Sequence, residues 1–344
     1  MTGVLSRDMD HYRRVLDGLA GVKVGIVGDA ILDVYLYGRP SRLSREAPVP
    51  IVEYEGEDAV PGGAANAAAA AAALGARASI FGFIGADEAG ERLISLLDSR
   101  GVDTSGLLSV PDWGTVTKTR LMAGSLHTAK HQMARIDRGV PLLSQRTLFA
   151  MLADRLKAAA DRVDALLISD YGYRAVSGEV EGVVKDAAAA GLRVVADSRR
   201  RVHDFSRVTA VTPNEEETLE FGRYMLNFES DVERIGEQML EILKLQAVLV
   251  TRGNRGLSLF LPGRVHTVPV AGTADIVDVS GAGDEVAVVF SCALATGCDF
   301  ETAAELADVA AGVVVMKRGT AVADVEEIDA KLTEVAGGGG SDRS

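Results

Sequence analysis

Asp278-Val279-Ser280-Gly281-Ala282-Gly283-Asp284 stands directly before the apolar run Val286-Ala287-Val288-Val289-Phe290, and the reading of that junction decides the rest. Two glycines flanking an alanine ahead of a helix let the backbone come close to a ligand, and they leave the first helical N–H groups without partners, gathered at one point. Unpaired donors and the positive end of the helix dipole add together, so such a terminus holds anions. Asp284 is then out of place, because a carboxylate repels an anion unless it handles a proton beside it. The combination suits a site where a hydroxyl is deprotonated while amides hold an anionic group. The plainer alternative is a glycine-rich turn with an acid in the first helical turn.

Upstream of this junction the chain alternates. Ser144 is expected to cap a helix to Val163, followed by the strand Ala165–Asp170. Ser177 is expected to cap a helix ended by Gly191, followed by the strand Leu192–Asp197. Val208–Thr212 and Ala247–Thr251 read as further strands with helices between them. Apolar strands alternating with helices of this length predict a parallel sheet covered on both faces. Nearer the start, Asp10–Leu19 reads as a helix and Val22–Asp29 as a buried strand ending in a Gly-Asp turn. Ligands gather past the carboxyl ends of such strands. Asp33 is the ligand candidate there, whereas Asp29 is read as a turn residue. Pro61-Gly62-Gly63-Ala64-Ala65-Asn66 opens an alanine helix running to Ala73. Alanine explains close packing on a sheet, but not Asn66 in the first turn, so Gly62, Gly63 and Asn66 are assigned to a ligand. Ser79–Gly85 is a second buried strand, followed by a helix over Asp87–Ser99 and a turn at Gly101-Val102.

Residues 34–61 break the alternation. Val34–Tyr37 and Val49–Tyr54 are short β-like runs, and a second pair appears at Thr115–Leu121 and His131–Asp137. Together they predict a small sheet that covers the site as a lid or packs against the same sheet of a second subunit, since few strands rarely stand alone. The expected organisation is therefore residues 10–33, 62–110 and 138–330 as one α/β domain, 34–61 and 111–137 as a β lid, and 331–344 as a disordered tail after two helices beyond Gly281.

A net charge of −13 without a Lys/Arg block argues against a nucleic-acid partner. Apolar runs fall short of a membrane span, and the polar start is not a signal peptide. The two cysteines, Cys292 and Cys298, suggest neither disulfides nor a metal knuckle, and Cys292 reads as core. The expected setting is the cytoplasm. His11, His127, His131, His203 and His266 are scattered, so no histidine metal site is proposed. Polar groups close several strands: Asp170, Asp197, Thr212-Pro213-Asn214 with Glu217, and Thr251-Arg252-Gly253. Such ends on one sheet edge, facing the Gly281–Asp284 anion site under a lid, imply phosphoryl transfer, where catalysis is positioning, charge neutralisation and water exclusion. A Walker A motif and a G-x-G-x-x-G dinucleotide fingerprint are both absent.

These residues resemble a known family. Gly62-Gly63-Ala64-Ala65-Asn66 looks like its early glycine signature, Asp278–Asp284 like its late one, and Thr212-Pro213-Asn214-Glu215-Glu216-Glu217 like its Asn-x-x-Glu motif. The family is the ribokinase-like, or phosphofructokinase-B type, carbohydrate kinases, and the resemblance runs from about Val22 to Ala323. Gly28–Asp33 and Ser41–Pro50 are most similar to kinases of D-glycero-D-manno-heptose 7-phosphate, which act on the anomeric hydroxyl. The nucleotidyltransferase domain often fused to them is not seen in this sequence. The resemblance implies a three-layer α/β/α fold with a mostly parallel sheet and a β lid, a sugar or sugar phosphate as substrate, ATP and Mg²⁺ as cofactors, and a homodimer through the lid. It implies Asp284 as base, with the Gly281, Ala282 and Gly283 amides on the phosphoryl group. Asp33, Gly63 and Asn66 would hold the sugar, and Arg120 or Arg135 its phosphate. Asp170 joins the substrate side from its strand end. Asn214 and Glu217 would organise Mg²⁺, partly through water. Thr251 and Gly253 would lie along the nucleotide, with Asp278 and Asp308 grouped on the same side.

The sequence departs from that pattern in several places. Gly172-Tyr173-Arg174 replaces the usual Ala-Lys-Gly, and Arg199 replaces a lysine, which changes geometry and reach. Glu285 stands where threonine is usual and is expected to add a second negative charge beside the phosphoryl site. Asp308 and Met316 stand for asparagine and glycine.

Overall fold

The computed structural model describes residues 5–124, 130–142, 145–226, 231–271, 277–278, 281–317 and 319–338. In chain order the elements are α1 (Met9–Leu19), β1 (Lys23–Gly28), β2 (Ala30–Leu43), β3 (Pro50–Gly63), α2 (Ala64–Ala73), β4 (Arg77–Gly85), α3 (Glu88–Asp98), β5 (Asp103–Val110), β6 (Val116–Ala123) and β7 (His131–Arg138). They continue with α4 (Arg146–Ala160), β8 (Ala165–Asp170), α5 (Glu179–Ala189), β9 (Arg193–Ser198), β10 (Ala210–Val211), α6 (Glu215–Phe221), α7 (Val232–Leu243), β11 (Ala247–Thr251), β12 (Leu257–Leu261), β13 (Arg264–Val268), α8 (Ala282–Ala295), α9 (Phe300–Val314) and α10 (Val325–Gly338).

Among the described residues the main sheet has the order β13-β12-β11-β10-β9-β8-β1-β4-β5. From β11 to β5 every pairing is parallel, and β12 and β13 close the far edge as antiparallel strands. Both faces are buried because strand side chains alternate. Val24 and Ile26 of β1 join a core with α1, α2, α3, α8, α9 and α10, whereas Val27 joins the opposite core with α4, α5, α6 and α7. The three-layer α/β/α arrangement expected from the alternation is what the chain adopts. Strand order reverses at β1, with β8 on one side and β4 on the other. A crevice opens at the carboxyl ends of strands at such a point, and the polar strand ends converge there.

The lid is one four-stranded sheet, in the order β3-β2-β6-β7. β2 and β3 form a long ribbon, from Ala30↔Gly63 at its base to Leu43↔Pro50 at its tip. It leaves directly after β1 and returns into α2. The short runs expected at 34–37 and 49–54 are parts of these longer strands. Gly38 and Pro40 look like breaks in sequence, but register shifts at Tyr37/Gly38 and Pro40/Arg42 absorb them. Pro40 also lies beyond the stretch of β2 that pairs with β6, where its missing N–H costs nothing.

Five expectations are corrected. The turn at Gly101-Val102 leads into β5, which the polar start Asp103-Thr104-Ser105 disguises. The β12–β13 hairpin went unrecognised. Three helices follow Gly281 instead of two, and the expected tail from 331 is helical to Gly338 because Ile328 and Leu332 of α10 are buried. Residues 339–344 lie outside the described residues, as do Ser144, His127, Val279 and Ser280. Finally, α5 is capped by Gly178 at φ 58° with no side-chain bond, while the Ser177 hydroxyl donates to the Arg174 carbonyl (2.9 Å). No helix among the described residues is long and apolar enough to cross a membrane.

Candidate active site

Helix α8 begins at Gly281, whose φ of +85° is left-handed and whose N-cap position carries no side-chain bond. The first amides of α8 have no intrahelical acceptor available to them. A Cβ on Gly283 would meet nothing within 4 Å. Asp284 follows, 6 % exposed, with both oxygens engaged. The Tyr171 hydroxyl donates to Oδ1 at 2.6 Å and the Asn66 amide to Oδ2 at 3.0 Å. Burial pushes the Asp284 carboxyl above its ordinary range, while Tyr171, Asn66 and the charge of Arg199 pull it back. A carboxylate raised in this way is a stronger base than a surface aspartate.

Asn66 reaches Asp284 because Gly63 allows α2 to start beneath it. Gly63 has φ +56°, and a Cβ there would lie 2.6 Å from the Asp29 carbonyl oxygen. That carbonyl accepts the Ala64 N–H at 3.0 Å. A Cβ on Gly62 would lie 2.8 Å from the Asp33 carboxylate, so this glycine clears space for Asp33. Asp33 lies 3.0 Å from the Arg120 guanidinium and accepts the Thr320 hydroxyl at 3.1 Å. Asp33 Oδ1 and Arg120 Nη1 are close but misaligned, and neither has a hydrogen bond. Arg135 lies on the exposed β7 and is paired with Asp137. The Asp170 oxygens are taken by the Ser198 hydroxyl (2.7 Å) and the Gly172 N–H (3.2 Å), so its geometry is that of a brace between β8 and β9. Asp29 is more than a turn residue. It accepts the N–H groups of Tyr171, Tyr173 and Ala175 at 2.8, 2.9 and 3.0 Å. This shapes the loop that delivers Tyr171, although burial pushes the Asp29 carboxyl up to about 6.

Across the crevice, Asn214 and Glu217 form a reciprocal capping box at the start of α6, each accepting the other's backbone N–H at 2.8 Å. Thr251 lies beside them in a parallel bridge to Asn214, and Gly253, at φ +57°, opens the turn beyond. Asp197 accepts the Thr212 hydroxyl at 3.3 Å. Burial, then the charges of Glu217 and Asp284, hold the Asp197 carboxyl well above its usual range, and burial raises Glu217 as well. Two carboxyls raised by burial, one of them also by the charge of the other, fit a divalent cation. Among the described residues no cluster of three or more His, Cys, Asp or Glu has metal-site geometry, so such a cation would draw its other ligands from water and phosphate oxygens. The Gly319 N–H donates to Asp278 at 3.0 Å, which braces the loop bearing Thr320. The Asp308 carboxyl accepts the Ala271 N–H at 2.6 Å, and burial pushes it up to about 7.

Glu285 overturns an expectation. Its side chain is fully buried and accepts the Ala323 N–H at 3.3 Å, turned away from the cleft. Burial pushes it up to about 8, so it is mostly protonated at neutral pH and adds no second negative charge beside the α8 amides.

Residues not assigned from sequence also face the cleft. The Tyr171 ring carries the Arg199 guanidinium 4.1 Å and the Lys118 ammonium 4.6 Å from its centre. Lys118 and Arg120 alternate on β6 and so share a face. That was the available signal for Lys118. Nothing in sequence places Tyr171 against Asp284.

The pattern of the pfkB family carbohydrate kinases matches residues 23–327. Among curated proteins, the chain is 35% identical over 320 residues to the bifunctional protein HldE of Desulfatibacillum aliphaticivorans, covering 91% of this chain and 63% of that protein. It is 38% identical over 306 residues to the protein of the same name from Pseudomonas paraeruginosa, covering 88% and 62%. The chain thus spans under two thirds of these relatives. Among solved structures it is similar to Arabidopsis thaliana ribokinase complexed with ribose and ATP (TM-score 0.70, 20% identity, 91% and 99% covered). It is also similar to Escherichia coli phosphofructokinase-2 in complex with substrates and products (TM-score 0.71, 18% identity, 92% and 99% covered). These structures speak for the fold alone.

Proposed function

The chain belongs to the pfkB family of carbohydrate kinases, and from that premise we propose that it transfers the γ-phosphoryl group of ATP to the anomeric hydroxyl of D-glycero-D-manno-heptose 7-phosphate. One observation carries the reading: a buried, doubly hydrogen-bonded Asp284 at the open N-terminus of α8. The choice of acceptor is supported by the likeness of Gly28–Asp33 and Ser41–Pro50 to heptose 7-phosphate kinases and by the HldE relatives.

In this mechanism Asp33 and Asn66 orient the sugar so that one hydroxyl meets Asp284. Asp284 takes the proton as the oxygen attacks. Tyr171, kept in its protonated form by burial and by the Asp284 charge, fixes the carboxylate orientation. The Gly281, Ala282 and Gly283 amides receive the developing charge on the transferring group, preorganised and so without reorganisation cost. Asn214, Thr251 and Gly253 line the nucleotide side. Mg²⁺, when bound, neutralises phosphate charge, and Asp197 and Glu217 are the residues that would hold it or its waters. The protonated, buried Glu285 leaves the α8 amides without the second negative charge expected beside them. The test is ADP release with ATP and Mg²⁺ across sugars and sugar phosphates. The heptose 7-phosphate is expected to give the highest kcat/KM. Preference for free fructose, ribose or a nucleoside would replace the acceptor, and no turnover with any sugar would sink the reading.

A further inference from the structure

The cleft holds two cations that no carboxylate neutralises at contact distance. Lys118, in β6, is 7 % exposed. Among the described residues its ammonium has no ion pair or hydrogen bond, only the face of Tyr171. Arg199, just past β9, lies over the same ring; among the described residues it has no carboxylate in contact, although its charge acts on Asp197, Glu217 and Asp284 nearby. Three neighbouring cations have carboxylate partners: Arg120 has Asp33, Arg135 has Asp137, and Arg201 has Asp204. Lys118 and Arg199 also oppose each other. After burial, the charge of Arg199 is the next cause that brings the Lys118 amine down to about 8. An ammonium taken out of water beside a second cation is unfavourable unless something negative joins them. A ring face compensates such a charge only in part. Neutral sugar hydroxyls would not fill this gap, because they carry no negative charge to offset two buried cations. A phosphate monoester would, since its oxygens accept charge-assisted bonds from both cations at once.

We propose that Lys118 and Arg199, seated together over the Tyr171 ring, recognise an anionic phosphate carried by the acceptor and so select phosphorylated over free sugars. The proposal rests on the kinase reading and moves the phosphate seat from the pair expected from sequence, Arg120 and Arg135, to Lys118 and Arg199. Tyr171 then links the two ends of the acceptor: its ring supports the cations, while its hydroxyl holds the base.

The experiment compares wild type, Lys118→Met and Lys118→Arg in ADP release. The acceptors are heptose 7-phosphate, mannose 6-phosphate and fructose 6-phosphate, each against its free sugar, with melting curves to verify folding. For phosphorylated acceptors Lys118→Met is expected to raise KM about 10- to 100-fold, the scale of one charge-assisted hydrogen bond. The loss with free sugars should be at least several-fold smaller than with their phosphates, and Lys118→Arg should recover most of the loss. Equal losses on both acceptor classes, or a fall confined to kcat, would assign the cation to the transferring group and overturn the proposal. Calorimetric titration of inorganic phosphate without nucleotide is the second arm. Binding by wild type that is lost in Lys118→Met upholds the seat even if no sugar is turned over, in which case the kinase reading falls alone. No phosphate binding by wild type, or equal binding by both, overturns the seat.

Discussion

Two of the glycine turns that lead into helices, at Gly62-Gly63 and at Gly281-Ala282-Gly283, are opposites. At Gly62-Gly63 the space a side chain would need is already taken, by the Asp33 carboxylate at 2.8 Å and the Asp29 carbonyl at 2.6 Å. At Gly283 there is nothing within 4 Å. The first turn uses glycine so that protein can pack against protein, locking β1, the base of the lid ribbon and α2 into one corner. The second uses glycine where no protein group needs the room. In a cleft floor that pattern points to a ligand, and identical-looking motifs therefore answer to different constraints.

The sharpest way to break the comparison is Gly63→Ala. A Cβ in a left-handed conformation against a backbone oxygen should cost about 2–5 kcal/mol of stability, read from urea unfolding. A loss below about 1 kcal/mol would mean that the corner yields and the two turns are not different in kind.

Asp284→Asn keeps the shape of the turn and removes the proposed base. Turnover should fall at least about 10²-fold, while nucleotide affinity stays near that of wild type. Unchanged turnover would remove Asp284 from proton transfer.

One residue further on, the same helix has a closed side. The Glu285 carboxyl sits at about 8 in the folded chain against an ordinary 4.5, so the folded state binds the proton more tightly than the unfolded chain does. Its contribution is fully present below the ordinary value, declines as pH rises between the two, and is lost above about 8. Glu285→Gln should flatten that slope and gain on wild type by a few kcal/mol, on the order of 1.4 per pH unit crossed. Parallel melting curves of the two proteins from acid to mildly alkaline pH would show that the carboxyl is not buried as described.

The smallest effect should sharpen the contrast. Gly283→Ala adds a helix-favouring residue in open space, so stability should rise by about 0.5–1 kcal/mol. Activity should fall by roughly 10-fold, because the methyl group enters space the transferring group needs. Stability and activity rising together would mean the space is not used.

Much of the fold was legible because it is written locally. The apolar runs at Ala165–Asp170 and Ala247–Thr251 became β8 and β11, and the helix expected over Asp87–Ser99 became α3, with Asp87 as its cap. The lid strands were underestimated because their length comes from cross-strand pairing, which carries β2 through Gly38 and Pro40. β5 and the β12–β13 hairpin were missed for a related reason: a neighbour supplies the burial that their own composition does not announce. Within the cleft, Asn66 and Asp284 could be singled out by being polar in glycine-led first turns. The bonds that join them to each other and to Tyr171 could not be read that way.

The sequence by itself determined the alternation that makes a covered parallel sheet, the two glycine-to-helix junctions and the acid at the second, because propensity, periodicity and capping act over a few residues. Tertiary structure alone decided that Tyr171 meets Asp284, that Lys118 and Arg199 share one ring, and that Glu285 is a buried acid and not a second charge. Those outcomes depend on desolvation and on distances between residues far apart in the chain, and both exist only once the layers have packed.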